Sequence, residues 1–156
     1  MSKTIIKSLF YSLFAVLLLS AKCGQPSFSD ANNRYKVKEY AVAADMYAKV
    51  AKNPKSTKKE KLTSAINAAQ SYYYNHDYKN ALKWYSTAIQ KGAKDPIFYY
   101  KMGECLKMTG KYTEALLKFQ EYQKMQPDDP NTAIMIEGCE LALKWKDAKT
   151  RYHVAE

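Results

Sequence analysis

The sequence predicts an all-α protein of consecutive helical hairpins behind an N-terminal export segment. Three observations predict it. A Tyr-x-x-Ala-x-x-x-aromatic pattern occurs three times, an Asp-Pro dipeptide recurs at the same interval, and an uncharged apolar run sits upstream of Cys23.

That run is met first. Lys3 and Lys7 precede Ser8 to Leu19, which is free of charge, and the small residues Ser20 and Ala21 follow. A basic stretch, a short apolar core and small residues describe a secretory signal peptide. The run is shorter than the about 20 apolar residues that a membrane-spanning helix needs. Cys23 is a candidate lipidation cysteine, although Lys22 occupies the place before it, where a small residue is expected. Cleavage near Ala21 or Cys23 without lipid is the alternative. Residues 1–22 are therefore assigned to a signal peptide, and export to the periplasm or outer membrane is expected.

The formal net charge of +10 overstates the exported chain, because Lys3, Lys7 and Lys22 lie in or beside the signal and no acid precedes Asp30. The remaining charge of +7 concentrates in Lys49 to Lys61, which reads as a solvated linker. A basic chain raises the question of nucleic acid. Export and the confinement of charge to one segment argue against it, and a membrane contact is expected only through an N-terminal lipid.

The repeat organises everything that follows. Tyr40-x-x-Ala43-x-x-x-Tyr47 returns as Tyr78, Ala81 and Tyr85, and again as Tyr112, Ala115 and Phe119. The offset from Tyr78 to Tyr112 is also that from Asp95-Pro96 to Asp129-Pro130, and from Cys105 to Cys139. The offset from Tyr40 to Tyr78 is slightly longer, with the surplus in the Lys-rich segment. The spacing within each copy puts its aromatics and alanine on one helix face. The alanine is small because another helix crosses there. Upstream helices are expected over Lys61 to Asn75 and Pro96 to Thr109, with Asp95 and Asp129 as N-caps before a first-turn proline. Asn75-His76-Asp77 and Thr109-Gly110 break the chain between the helices of a pair, Gly110 suiting a left-handed C-terminal cap. A weaker first helix lies near Phe28 to Lys38, and a last one over Asn131 to Trp145.

These residues resemble the tetratricopeptide (TPR) family. In the third unit Tyr99, Met102, Gly103, Tyr112, Ala115, Phe119 and Pro127 match its pattern, with Leu106 replacing an aromatic. In the second, Ala68, Ala69, Tyr72, Tyr78, Ala81, Tyr85 and Ala88 match, with Ala65 in place of a large residue and no closing proline. The resemblance implies a TPR superhelix of about three helix-turn-helix repeats plus a C-terminal capping helix. Repeats span residues 23–130 in units of about 24–61, 62–95 and 96–129; the cap covers 130–147 and a tail 148–156. A narrower resemblance follows. Gly138-Cys139-Glu140-Leu141-Ala142-x-x-Trp145 with Thr150-Arg151-Tyr152-x-Val154 is similar to the end of the N-terminal TPR region in a Bacteroidetes envelope family. Those proteins usually continue into a WD40-like propeller and an OmpA-like domain, and some serve the type IX secretion and gliding apparatus.

Catalysis finds no constellation. Cys105 and Cys139 occupy one position of successive first helices, which stack about 10 Å apart, too far for a disulfide that needs Cα atoms within about 7 Å. Ser71 holds the matching place in the second unit, so the position selects a small buried residue. His76 and His153 fall in a turn and in the tail, at no helical spacing from either cysteine. No metal and no cofactor are expected.

Ten of the fourteen tyrosines fall into two sets. Tyr40, Tyr47, Tyr72, Tyr78, Tyr85, Tyr99 and Tyr112 hold repeat-defining positions and belong to the core. The family resemblance places the concave groove at Ile66, Gln70, Tyr73 and Tyr74, then at Ile97, Tyr100, Glu104, Lys107 and Met108. Exposed aromatics with polar neighbours suit a bound peptide. The family's two-carboxylate clamp would fall on Phe28, Asn32, Asn67, Ile97 and Lys101, two of its basic places being apolar, so a hydrophobic peptide reader is expected. The function expected is a protein-interaction scaffold in a secretion or envelope assembly. A structural spacer arm of a larger OmpA-like anchoring protein is the alternative.

Overall fold

A computed structural model describes residues 24–153, with side chains through 148; the signal peptide, Cys23 and Val154 lie outside them. Seven helices follow in order among the described residues, with no strand. They are α1 (Phe28–Lys36), α2 (Tyr40–Lys52), α3 (Lys58–Tyr74), α4 (Tyr78–Gln90), α5 (Ile97–Met108), α6 (Tyr112–Met125) and α7 (Pro130–His153). Each packs on its neighbours in sequence, giving three hairpins and a closing helix.

Local chemistry sets the boundaries. Asp95 Oδ1 accepts the Ile97 N–H at 3.0 Å and Asp129 Oδ1 the Asn131 N–H at 2.9 Å, so both aspartates cap as the sequence predicts. Two further caps are reciprocal boxes. Ser27 exchanges hydrogen bonds with Asp30, and Thr57 with Glu60, each satisfying two N–H groups that a helix start leaves unpaired. Ser27's hydrogen bonds hold the Asp30 carboxyl below its ordinary range, and the Thr57 N–H and hydroxyl do the same for Glu60.

The three turns within hairpins are one device. Lys38 (φ 62), His76 (φ 59) and Gly110 (φ 74) are left-handed, each two residues before Tyr40, Tyr78 or Tyr112. The next N–H in each case reaches back to close the preceding helix, on Arg34, Tyr72 and Leu106 at 2.9–3.0 Å. This is the Schellman closure. Only the third unit uses the glycine that this conformation favours.

The core repeats with the same period. Ala43, Ala81 and Ala115 are all fully buried, beside Tyr47, Tyr85 and Phe119, which are at most 2% exposed. Ala31, Ala69 and Gly103 are the small residues of the first helices. At Gly103 a Cβ would lie 2.7 Å from the Phe119 ring, so the third unit has traded a methyl for a closer aromatic. Of the tyrosines assigned to the core, only Tyr47 and Tyr85 are fully enclosed. Tyr40, Tyr72, Tyr78, Tyr99 and Tyr112 are half-buried, with the Tyr72 hydroxyl donating to Asp45 at 2.7 Å. Cys105 and Cys139 are buried free thiols, as the repeat position requires.

Two expectations need correction. Lys49 to Lys61 is not a loose linker: Lys49–Lys52 end α2, Lys58–Lys61 begin α3, and only residues 53–57 are non-helical. A lysine-rich start hides the apolar period, and the Thr57–Glu60 box starts the helix ahead of Lys61. The region from 148 is not a tail as far as His153, because α7 runs on through it. Residues 146–153 contain neither glycine nor proline to stop a helix.

Candidate partner-binding groove

The first helices α1, α3 and α5 carry the positions that the repeat assigns to one continuous surface, and the same register extends them onto α7. On α3 and α5 most of these side chains are used to join one helix to the next. The Tyr73 hydroxyl donates to Glu104 Oε2 at 3.1 Å, and Lys101 Nζ donates to the same oxygen at 2.8 Å. The Lys101 ammonium also sits 4.6 Å from the Tyr73 ring centroid. Burial raises the Tyr73 phenol pKa and the Glu104 charge adds to it. Burial alone would lower the Lys101 ammonium, but the hydrogen bond and charge of Glu104 reverse the shift and raise it. Lys101 therefore keeps its charge, and α3 and α5 are tied through Glu104 Oε2, which accepts from both Tyr73 and Lys101.

Tyr100 is not the open ring that the sequence suggests. It is half-buried and packs edge-on against Phe119 at 5.4 Å and Tyr122 at 5.2 Å. Tyr74 is 50% exposed yet lies 5.2 Å from Tyr40 and 6.3 Å from Tyr35, as the lid of an aromatic cluster. Ile66 and Ile97 are half-buried against the main core, and Gln70 is half-buried on the same helix as Tyr73. Lys107 stretches to α7, its ammonium 3.5 Å from Met135 Sδ. Met108 alone among the predicted α5 positions is fully open, at 61%.

The clamp positions are likewise occupied from within. The Tyr47 hydroxyl donates to Asn32 Oδ1 at 2.6 Å. Lys101 is neutralised by Glu104. A peptide carboxylate would have to displace each of these partners.

The open apolar surface lies further along, on residues that the sequence reading left out. Ile134, Leu141 and Trp145 of α7 are 66%, 53% and 69% exposed. Ile134 stands one repeat beyond Tyr100 and Leu141 one repeat beyond Lys107, with Gly138 between them, one repeat beyond Glu104. Their spacings of four, three and four put all four residues on one helix face. Carrying the repeat offset one step past Pro130 would have found them.

Nothing in the groove resembles a reacting centre. Burial, with the Glu104 charge, pushes the Cys105 thiol up to about 12, and burial raises Cys139 as well, so both are protonated at neutral pH. His76 is engaged with the Tyr78 hydroxyl at 2.9 Å. Among the described residues no three His, Cys, Asp or Glu side chains gather as a metal site, and no helix is long and apolar enough to cross a membrane.

Residues 64–129, which are α5, α6 and nearly all of the preceding hairpin, match the family described as YpiA-like, C-terminal tetratricopeptide repeats. The fold is a tetratricopeptide-repeat superhelix. A solved structure, the C-terminal TPR-containing domain of a Plasmodium falciparum FK506-binding protein, superposes with a TM-score of 0.59 at 19% identity. The match covers 78% of this chain and 87% of that domain. No curated protein matches the chain. In TPR terms α1–α2, α3–α4 and α5–α6 are the three repeats and α7 is the solvating helix. TPR proteins are generally non-enzymatic scaffolds that bind other proteins.

Proposed function

We propose that this TPR protein is an exported interaction scaffold that holds an apolar peptide segment of a partner across the groove face of α5 and α7. Its place is the periplasm or the inner face of the outer membrane. The observation that carries the binding reading is the exposure of Met108, Ile134, Leu141 and Trp145 on the groove register, where an isolated end helix would be expected to turn polar side chains to water. Contiguous exposed apolar side chains are the usual mark of a partner surface. The export reading is supported by the basic, apolar and small-residue order of the segment ahead of Cys23. The resemblance of Gly138 to Val154 to an envelope TPR region supports a role in a secretion or envelope assembly.

Selection of displayed random peptides on the protein tests the binding reading. Recovered peptides should share apolar or aromatic anchors, and Ile134→Ser with Leu141→Ser should abolish their capture. Both residues are more than half exposed, so the double variant should keep its melting temperature, exposed substitutions typically lying within about 0.5 kcal/mol. Loss of folding in that variant, or peptides captured equally well by it, would refute the groove assignment. Fractionation of the native host should show an envelope-associated chain shortened by about its signal peptide.

A further inference from the structure

The apolar stripe of α7 has the period of a helix–helix seam. Ile134, Gly138, Leu141, Trp145 and Ala148 follow one another at spacings of four, three, four and three. That is the alternation of a and d positions in a heptad, which keeps one line of side chains facing a partner helix along its length. The line lies on the order of 130° around α7 from the buried Cys139 and Thr132. A helix laid on it therefore stands clear of the chain's own hairpins. Gly138 leaves a notch in the line, where a Cβ would meet only the end of the Lys107 side chain. Two exposed charges one heptad apart, Glu137 and Lys144, border its outer margin.

The line matches itself when reversed. Take two antiparallel α7 helices related by a two-fold axis at the level of Cys139 and Glu140. Trp145 of each copy then falls over Ile134 of the other, and Leu141 enters the notch at Gly138. The same axis brings Glu137 of each copy beside Lys144 of the other, so both outer flanking pairs are of opposite charge. Along the inner margin it sets Met135 against Ala142, an apolar contact. A two-fold interface uses one patch twice, and a residue's partner must accept it in both directions. Large over small and acid beside base meet that condition here. A parallel pair would set Gly138 on Gly138, leaving a gap, and Glu137 beside Ala142.

We propose that the free protein pairs through α7 with a second copy in this antiparallel register, each copy covering the other's stripe until an apolar partner segment displaces it. This pairing deepens the partner-binding reading, and rests on it only for the stripe being a contact surface. A foreign helix would have to supply each match separately, whereas the two-fold draws all of them from one sequence. The contact is small. One helix per copy falls at the low end of interface sizes, below about 1,200 Å² of buried surface, where exchangeable complexes lie.

Sedimentation of the chain as its host processes it, at micromolar concentration, reads the pairing. Glu137→Lys alone and Lys144→Glu alone each turn both outer pairs repulsive, and each should raise the dimer dissociation constant about tenfold or more. An equimolar mixture of the two should recover a mixed dimer of parental strength, because each copy then offers the charge that the other needs. The doubly reversed chain should pair as the parent does. Both residues are exposed, so every variant, diluted to monomer, should keep the parental melting temperature. Association through the apolar run ahead of Cys23 would be blind to these charges. A monomeric parent, single reversals that pair as tightly as the parent, or a mixture no tighter than its components would overturn the proposal. Peptide selection separates pairing from partner binding. A monomeric parent that still captures apolar peptides overturns the pairing and leaves partner binding standing, whereas a charge-dependent dimer whose dissociated variant captures none does the reverse.

Discussion

The two helical glycines of the C-terminal half should answer one substitution with opposite signs. Replacing a mid-helix glycine by alanine gains about 1 kcal/mol of helix propensity wherever the methyl fits. At Gly138 it fits: the new Cβ meets only the flexible Lys107 ammonium, at 3.5 Å. At Gly103 it does not. The new Cβ would stand 2.7 Å from Phe119 Cε1 and 2.8 Å from Cδ1 and Cζ. Phe119 is fully buried and held by Tyr100, so it has little room to retreat. Overpacking of this kind costs about 1–3 kcal/mol. Gly138→Ala should therefore stabilise by about 1 kcal/mol, and Gly103→Ala should end about 1–3 kcal/mol below it, because both variants share the propensity gain. Urea unfolding followed by helical circular dichroism reads both as a shift of midpoint at constant slope. Phe119→Leu in the Gly103→Ala background should recover part of the loss, as a double-mutant cycle would show. Equal midpoints for the two alanine variants would mean that Gly103 is not pressed by Phe119.

Tyr85→Ala should cost about 3–5 kcal/mol, as for a fully buried ring, and Tyr100→Ala about 2 kcal/mol through its two edge-on ring contacts and partial burial; denaturant unfolding that leaves Tyr100→Ala at parental stability would return Tyr100 to the open groove. Lys38→Gly should stabilise by about 0.5–1 kcal/mol, since relief of left-handed strain exceeds the added chain entropy, and an unchanged or lower melting temperature would count against the strain. Asp30, Glu60 and Asp129 have folded pKa values below their ordinary 3.8, 4.5 and 3.8, so their stabilisation is complete above those values and is lost as pH falls through the lower folded ones. Acid titration of stability should accordingly decline below about pH 4.5, and Thr57→Val, which removes the Glu60 hydroxyl partner, should flatten that decline.

Most of the fold was legible because its determinants are periodic. Tyr78, Ala81 and Tyr85 announce a helix face and a crossing, and Asp95-Pro96 announces a boundary. What escaped were features with no period to reveal them. The start of α3 rests on a single Thr57–Glu60 exchange inside a run of lysines, and the last turns of α7 rest on the absence of any breaker. The left-handed places at Lys38 and His76 could be inferred only by aligning them with Gly110. The site was less legible than the fold, because position on a helix says which face a side chain takes but not how far a neighbour reaches to cover it. Tyr100 and Tyr74 share a groove register, yet Phe119 and Tyr122 cover the first, while the second rests on Tyr35 and Tyr40.

The polarity of α7 decides what kind of end this superhelix has. In the first three units the first helix turns a small residue toward its own second helix: Ala31, Ala69 and Gly103, all buried. The matching place on α7 is Glu137, exposed, with exposed Ala133 and Glu140 on either side of it. A carboxylate there has no use in a helix crossing, and burying it unpaired would cost several kcal/mol. The face that would receive a second helix of its own is therefore finished for water. The groove stripe of the same helix is not, since Ile134, Leu141 and Trp145 remain open. One helix thus ends the stack on one face and continues the groove on another. A helix serving only to solvate the last repeat would need the first property alone. The second has no structural beneficiary among the described residues, which is the physical reason for assigning it to a partner.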